Sequence, residues 1–86
     1  MKLSQEQSKL YHSKTLRNKR QIENSVQCGC LSCCRIYPSH EIVESFKDGE
    51  EYTVLCPYCG TDAVIGSASG LEINYEILKV LNKIWF

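Results

Sequence analysis

Cys56-Pro57-Tyr58-Cys59-Gly60 is the stretch from which the fold of this 86-residue chain can be inferred. Two cysteines separated by two residues place two sulfur ligands on one tight turn, close enough to bind a single metal ion. Pro57 restricts its own φ to about −65°. Gly60 can adopt the positive φ that turns backbone N–H groups toward the sulfurs. The pair therefore predicts a metal-binding knuckle.

A second pair, Cys30-Leu31-Ser32-Cys33, lies upstream, with 22 residues between it and the first pair. The complete pattern is close to the spacing of four-cysteine zinc sites. The sequence predicts one structural Zn²⁺ ion, with iron in a rubredoxin-like site as the minor alternative. Cys28 is the alternative ligand in place of Cys30, and Cys34 is interpreted as a free thiol. The predicted ligands are Cys30, Cys33, Cys56 and Cys59.

The length of the chain explains why a metal is expected. A domain of this size buries a limited core and usually needs disulfides, a metal or a partner chain for stability. Six cysteines could form three disulfides in a secreted chain. However, the first residues show no apolar signal-peptide region, and no run of 18 or more apolar residues suggests a membrane span. We therefore expect a cytoplasmic protein with reduced thiols that bind metal.

Charge is unevenly distributed although the net charge is zero. Residues 1–37 carry a net charge of +5, and residues 38–86 carry −5. The basic half could bind nucleic acid. The simpler interpretation is that the two halves attract each other or are separately solvated. The candidate nucleic-acid contacts are Lys14, Arg17, Lys19 and Arg20.

The chain is predicted to form one small α+β, metal-stapled domain of the zinc-ribbon or rubredoxin-like type. Residues 1–25 are predicted to be helical but poorly buried, either as one helix or as two helices broken near Ser13. Residues 26–66 form the two-knuckle ribbon, and residues 71–86 form a C-terminal helix.

Several local signals refine the ribbon. Residues 51–55 and 62–66 are predicted to be the two strands of a hairpin, with the second knuckle at its tip. Ser39 is predicted to cap a helical turn that continues to Glu44. Asp48-Gly49 predicts a type I′ hairpin turn.

The C-terminal helix is the clearest element in the sequence. Asn74 is a suitable N-cap, and an apolar stripe follows at helical spacing. Trp85 and Phe86 are expected to pack on the ribbon and close the core, or else to form a protein-binding patch. The stripe consists of Ile77, Leu81, Ile84 and Trp85.

From Cys28 onward, about two thirds of the chain resembles a family of small bacterial cytoplasmic proteins. The resemblance implies a metal-binding protein but no particular activity. Cys34 departs from the pattern, since an apolar or basic residue is usual there. The N-terminal residues match only loosely, at Asn18-Lys19, Ile22 and Ser25. The matching segments are Cys28-Gly29-Cys30-Leu31-Ser32-Cys33, Pro38-Ser39, Ile42, the run from Cys56 to Gly66, Ser69-Gly70 and Trp85-Phe86.

A tetrahedral set of four thiolates leaves no open position for water or substrate, so the predicted site is structural and the protein is not expected to be an enzyme. The favoured hypothesis is a protein-interaction or regulatory module. The alternative is a nucleic-acid-binding zinc ribbon, with Tyr11 and Tyr37 available for base stacking. A thiol-redox enzyme is disfavoured because both cysteine pairs fit turns of a ribbon and not a strand-to-helix junction.

Overall fold

Two helices, five short antiparallel strands and a third helix follow one another along residues 2–86, the part of the chain that the computed structural model describes. The predicted α+β class is confirmed. Two short 3₁₀ turns, at Ser39–Glu41 and Ser67–Ser69, connect the strands and the last helix. In chain order, the regular elements are α1 (Gln5–Ser13), α2 (Lys19–Glu23), β1 (Gln27–Cys30), β2 (Ile36–Pro38), β3 (Glu44–Asp48), β4 (Glu51–Leu55), β5 (Val64–Gly66) and α3 (Tyr75–Trp85).

The strands form two separate sheets. One contains three antiparallel strands in the order β2-β1-β5, with Cys28 opposite both Tyr37 and Gly66. The other is the hairpin β3-β4. The prediction of a hairpin across the second knuckle was therefore wrong, because β4 and β5, which flank that knuckle, belong to different sheets. Strand β5 pairs with β1, which ends at the first knuckle.

Glycine allows α3 to pack directly on the three-stranded sheet. A Cβ atom at Gly29, in the middle of β1, would lie 2.9 Å from side-chain carbons of both Ile73 and Leu78. Such an approach is closer than carbon atoms tolerate, so any larger residue would force the helix away from the strand. Leu31 and Ile65 are also fully buried here, at the centre of the core.

The N-terminal segment forms two helices that break after Ser13, as one of the two predicted alternatives has it. Ser4 and Gln7 make the predicted capping box at the start of α1. The expectation of poor burial fits Leu10 and Leu16, which are exposed, but Tyr11 and Ile22 are part of the core. The Tyr11 hydroxyl donates a hydrogen bond to the Glu72 carbonyl at 2.7 Å, which holds α1 against the segment before α3.

Asn18 joins the two sheets. Its side chain is only 2% exposed, at the start of α2. Its Nδ2 donates to the Val64 carbonyl in β5 at 2.6 Å, and its Oδ1 accepts from the Val54 N–H in β4 at 3.1 Å. One side-chain amide thus supplies the donor and the acceptor that two buried strand ends require.

Two predicted turns differ in detail from the structure. The turn capped by Ser39 ends at Glu41, and Glu44 already belongs to β3. The hairpin is present, but Asp48 pairs with Glu51, so the two loop residues are Gly49 and Glu50, of which only Gly49 has a positive φ, at 71°. A type I′ turn requires positive φ at both residues, so the predicted turn type was wrong.

Helix α3 begins as predicted, with the Asn74 side chain accepting a hydrogen bond from the Ile77 N–H at 2.9 Å. The prediction that its C-terminal end packs on the ribbon and closes the core was wrong, and the alternative of a protein-binding patch stays a prediction. Ile84 is 49% exposed, Trp85 is 36% exposed and Phe86 is 62% exposed, so this end does not close the core. The Trp85 ring instead lies against the His12 ring of α1, with 4.1 Å between centroids. The buried side chains of α3 are Ile77, Leu78 and Leu81.

Candidate metal centre

Two six-residue turns with the same backbone hydrogen bonds carry the cysteine pairs. In the first knuckle, residues 30–35, the Cys30 N–H donates to the Arg35 carbonyl at 3.0 Å, and the Cys34 N–H donates to the Cys30 carbonyl at 2.8 Å. The second knuckle, residues 56–61, repeats both bonds between its corresponding residues, at 3.0 and 2.8 Å. Each knuckle therefore presents its two sulfurs from a turn that is closed by its own backbone hydrogen bonds.

The fifth residue of each knuckle adopts the left-handed conformation. Gly60 has a φ of 76°, and Cys34, at the equivalent place in the first knuckle, has a φ of 61°. Glycine adopts this conformation freely, whereas a residue with a Cβ atom does so at a cost of about 1–2 kcal/mol. Cys34 thus serves a backbone role that glycine serves in the other knuckle.

The two knuckles bring the four predicted cysteines together. Their sulfur atoms all lie within 4.8 Å of one another. Cys30 Sγ lies 3.6 Å from Cys59 Sγ, and Cys33 Sγ lies 3.8 Å from Cys56 Sγ. A tetrahedral ion with metal–sulfur bonds of about 2.3 Å would separate its sulfurs by about 3.8 Å. The cluster is therefore of the right size and composition to hold one metal ion.

The remaining cysteines lie outside this cluster. Cys28, the alternative ligand, is fully buried in β1, and its Sγ donates to the Tyr37 carbonyl at 3.6 Å. Burial raises the pKa of Cys28 to about 12. Its thiol therefore keeps its proton at neutral pH and donates its hydrogen bond within the sheet, to the neighbouring strand β2. Cys34 is partly buried, and burial also raises its pKa.

The cluster is buried on one side and exposed on the other. Cys30 is fully buried, and burial raises its pKa, although the backbone N–H groups of Ser32 and Cys33 lower it. Cys59 is exposed. Desolvation alone would raise the pKa of Cys59, but the hydroxyl and N–H of Thr61 and the neighbouring thiols lower it to about 6. Hydrogen bonds to the ionised form favour a thiolate, which is the form that binds metal.

Asn82 of α3 supports the first knuckle, and the sequence analysis did not identify it. Its Nδ2 donates to the carbonyls of Leu31 and Ser32 at 3.0 and 2.8 Å, so both residues between Cys30 and Cys33 are held by the helix. One signal was available, since asparagine is a poor helix former and stands next to the buried Leu81. That position indicates a polar partner, but not which one.

Three of the four predicted nucleic-acid contacts lie beside the acidic hairpin β3-β4. Arg17 Nε is 3.8 Å from Asp48, and Arg20 Nε is 3.9 Å from Glu51. The Lys19 ammonium lies 5.0 Å from the centroid of the Tyr52 ring. Lys14 is partly buried after α1, and its carbonyl accepts a hydrogen bond from Gln21. The arginines are mostly exposed, so each ion pair is weak, yet together they balance charge locally.

Neither the helices nor similarity to known proteins assigns the chain to a class. Among residues 2–86, no helix is both long enough and apolar enough to cross a membrane. No protein-family model, curated protein or solved structure matches the chain significantly. The resemblance to small bacterial metal-binding proteins therefore stays a prediction.

Proposed function

We propose that the protein is a small zinc-stapled module that binds a protein partner and has no catalytic activity. Zn²⁺ would be held by Cys30, Cys33, Cys56 and Cys59. The observation that carries the proposal is the spacing of the four sulfur atoms, which fits the edges of a tetrahedral metal–thiolate site. Four thiolates would complete the coordination of the ion, so its role would be structural.

The position of the cluster in the fold explains what a metal would do there. Cys30 ends β1 of the three-stranded sheet, and Cys56 directly follows β4 of the separate hairpin. A metal ion bound to both would connect two sheets that share no strand pairing. For a chain with so few buried side chains, such a link can supply much of the folding free energy, on the order of 10 kcal/mol in zinc-finger peptides.

Zinc is proposed over iron on the basis of composition. Sulfur ligands in tetrahedral geometry suit either metal. The chain has equal numbers of acidic and basic residues, whereas the rubredoxin-like alternative would suit a pronounced excess of acid. A protein partner is proposed over nucleic acid because Arg17 and Arg20 lie against acidic side chains. Large apolar side chains are also exposed, at Val26, Val43, Ile84 and Phe86.

Elemental analysis and chelation test the metal proposal. Purified protein is expected to contain one zinc per chain, and removal of that zinc by a strong chelator is expected to abolish the cooperative thermal transition seen by circular dichroism. Protein that stays folded and melts at an unchanged temperature after complete metal removal would contradict the proposal. If the purified protein contained one iron per chain, the proposed structural metal would be iron and not zinc.

A salt titration separates the two kinds of partner. A nucleic-acid binder is expected to bind DNA or RNA near micromolar affinity at low salt and to weaken steeply as salt increases. The proposal expects no measurable binding at low salt. The variant Ile84→Asp tests the protein partner, since a partner captured by the wild type through the exposed end of α3 is expected to be lost, whereas Lys79→Ala on the same helix should retain it.

A further inference from the structure

Tyr37 has a buried hydroxyl group without a hydrogen-bond partner. Its side chain is 5% exposed, and its oxygen is the one fully buried side-chain polar atom in residues 2–86 that lacks a donor or acceptor within the protein. A buried polar group left unpaired costs about 1–3 kcal/mol. Since nearly all such groups in native proteins are paired, this one requires a physical explanation.

The hydroxyl lies beside the sulfur cluster. Tyr37 is the central residue of β2, which follows the first knuckle. Its ring lies 5.1 Å, centroid to centroid, from the ring of Tyr58, which stands between the two cysteines of the second knuckle. Burial raises the pKa of the Tyr37 hydroxyl, and the side chain of Cys56 is the next largest cause. The end of the Tyr37 ring therefore lies beside the second knuckle, near Cys56.

The other nearby sulfurs are already engaged. Cys28 Sγ is a donor to the carbonyl of Tyr37 itself. The backbone N–H groups of Ser32 and Cys33 act to lower the pKa of Cys30, which indicates that both lie close to its sulfur. Cys56 is therefore the sulfur for which a hydrogen bond from Tyr37 would be most useful.

Metal binding decides whether Cys56 can accept that bond. A thiol is a weak acceptor, so it does little for a buried hydroxyl. Metal binding requires the thiolate, and the proton that Cys56 loses is released to solvent. A thiolate accepts a charge-assisted hydrogen bond, which is roughly twice as strong as a neutral one. The unpaired donor would thus gain its acceptor when the metal binds.

We propose that Tyr37 is a positioning residue of the metal centre, and that its hydroxyl donates a hydrogen bond to the Cys56 thiolate in the metal-bound protein. The inference rests on the proposed function, because only a bound metal converts Cys56 to the required acceptor. Loss of such an outer hydrogen bond typically lowers metal affinity by about 10- to 100-fold.

The variant Tyr37→Phe keeps the ring and removes the hydroxyl. Competition with a chromophoric chelator is expected to show at least about tenfold weaker zinc binding than in the wild type. The sign of the change in stability of the zinc-loaded protein separates the two cases. If the hydroxyl has no acceptor, phenylalanine removes an unpaired polar group, and the zinc-loaded variant should be as stable as the wild type or more stable. That result would overturn the inference.

Tyr11→Phe is the matched control. Tyr11 is also buried, but its hydroxyl donates to the Glu72 carbonyl, so this variant loses an ordinary hydrogen bond. Because metal affinity and folding are linked, Tyr11→Phe can also weaken zinc binding through stability alone. A readout at the sulfur atoms is therefore needed. In cobalt-substituted protein, the sulfur-to-cobalt charge-transfer band is expected to move to lower energy in Tyr37→Phe and to stay in place in Tyr11→Phe.

The two proposals fail in different ways. If the wild type binds no metal, both the zinc staple and the role of Tyr37 are excluded. If the wild type binds one ion through four thiolates, but the band and affinity of Tyr37→Phe equal those of the wild type, only the inference fails. If Tyr37→Phe does not fold, NMR of wild-type protein loaded with cadmium-113 decides. Scalar coupling between the Tyr37 hydroxyl proton and the metal, transmitted through Cys56, supports the hydrogen bond, and absence of that coupling overturns it.

Discussion

The two knuckles have the same backbone but different support from the rest of the fold. In the first, Leu31 is fully buried, its N–H donates to the Ala63 carbonyl at 2.9 Å, and Asn82 holds the next carbonyls. In the second, residues 57–60 are all exposed. The first knuckle is therefore positioned by the core. The second is positioned mainly by its own turn, and a metal ion bound to its sulfurs would add to this. Turn geometry alone is enough to present two cysteines, but only in the first knuckle do buried residues and α3 also hold the residues between them.

Loss of a cysteine from the cluster should have the largest effect. Cys56→Ser is expected to abolish stoichiometric metal binding and to unfold the domain, because metal–thiolate bonds in small domains supply on the order of 10 kcal/mol. Metal content and far-ultraviolet circular dichroism of the purified variants measure both effects. Cys34→Ser is the control, since Cys34 lies outside the cluster. A Cys34→Ser protein without its metal would contradict the assignment of ligands.

Asn82→Ala tests the support that the first knuckle receives from α3. It leaves the carbonyls of Leu31 and Ser32 without their donor, and we expect the free energy of unfolding of the metal-loaded protein to fall by about 1–3 kcal/mol. Urea denaturation gives this value. Lys83→Ala, an exposed substitution on the same helix, should change it by less than about 0.5 kcal/mol. Equal effects of the two variants would mean that the core does not hold this knuckle.

The fifth position allows a direct exchange between the knuckles. Gly60→Ala is expected to destabilise the protein by about 1 kcal/mol, because the backbone is left-handed there. A Cβ atom at Gly60 would meet no atom within 4 Å, so conformation is the main cause. Cys34→Gly should be more stable than Cys34→Ala by a similar amount. Chemical denaturation of the four proteins measures both differences, and differences of opposite sign would show that the two turns are not equivalent.

The local features of the fold could be predicted from sequence because their causes are local. The cysteine spacing predicted the group that the fold assembles, and Ser4 and Asn74 were recognised as helix caps because such caps depend on neighbouring residues. The pairing of β5 with β1 was missed because strands flanking a short loop usually pair with each other. Nothing in residues 56–61 shows that β4 already has a partner in β3.

The features that depend on tertiary contacts were also missed. Trp85 continues the apolar stripe of α3 in sequence, yet the core ends before the helix does. Asn18 appeared only as a loose match in the N-terminal segment, although it bridges both sheets. The burial of Tyr37 beside the sulfurs requires both knuckles to be in place. Periodicity reports which face of an element is apolar, but not how far the neighbouring elements extend over it.

The smallest expected effect concerns the alkylation of the cysteines, which should differ between the knuckles because their sulfurs differ in exposure. In the metal-loaded protein, a limiting amount of an alkylating reagent is expected to modify Cys59 first, because Cys59 is the exposed cysteine of the cluster and a bound metal keeps its sulfur ionised. An ordinary thiol, with a pKa near 9, would react about tenfold more slowly at pH 7 than at pH 8, since only the thiolate reacts. Cys59 should react at nearly equal rates at the two pH values, because a metal-bound sulfur is a thiolate at both. Buried Cys28, with its pKa raised to about 12, should stay unmodified, as peptide mass spectrometry would show. Earlier modification of a first-knuckle cysteine would mean that the second knuckle is not the accessible side of the cluster.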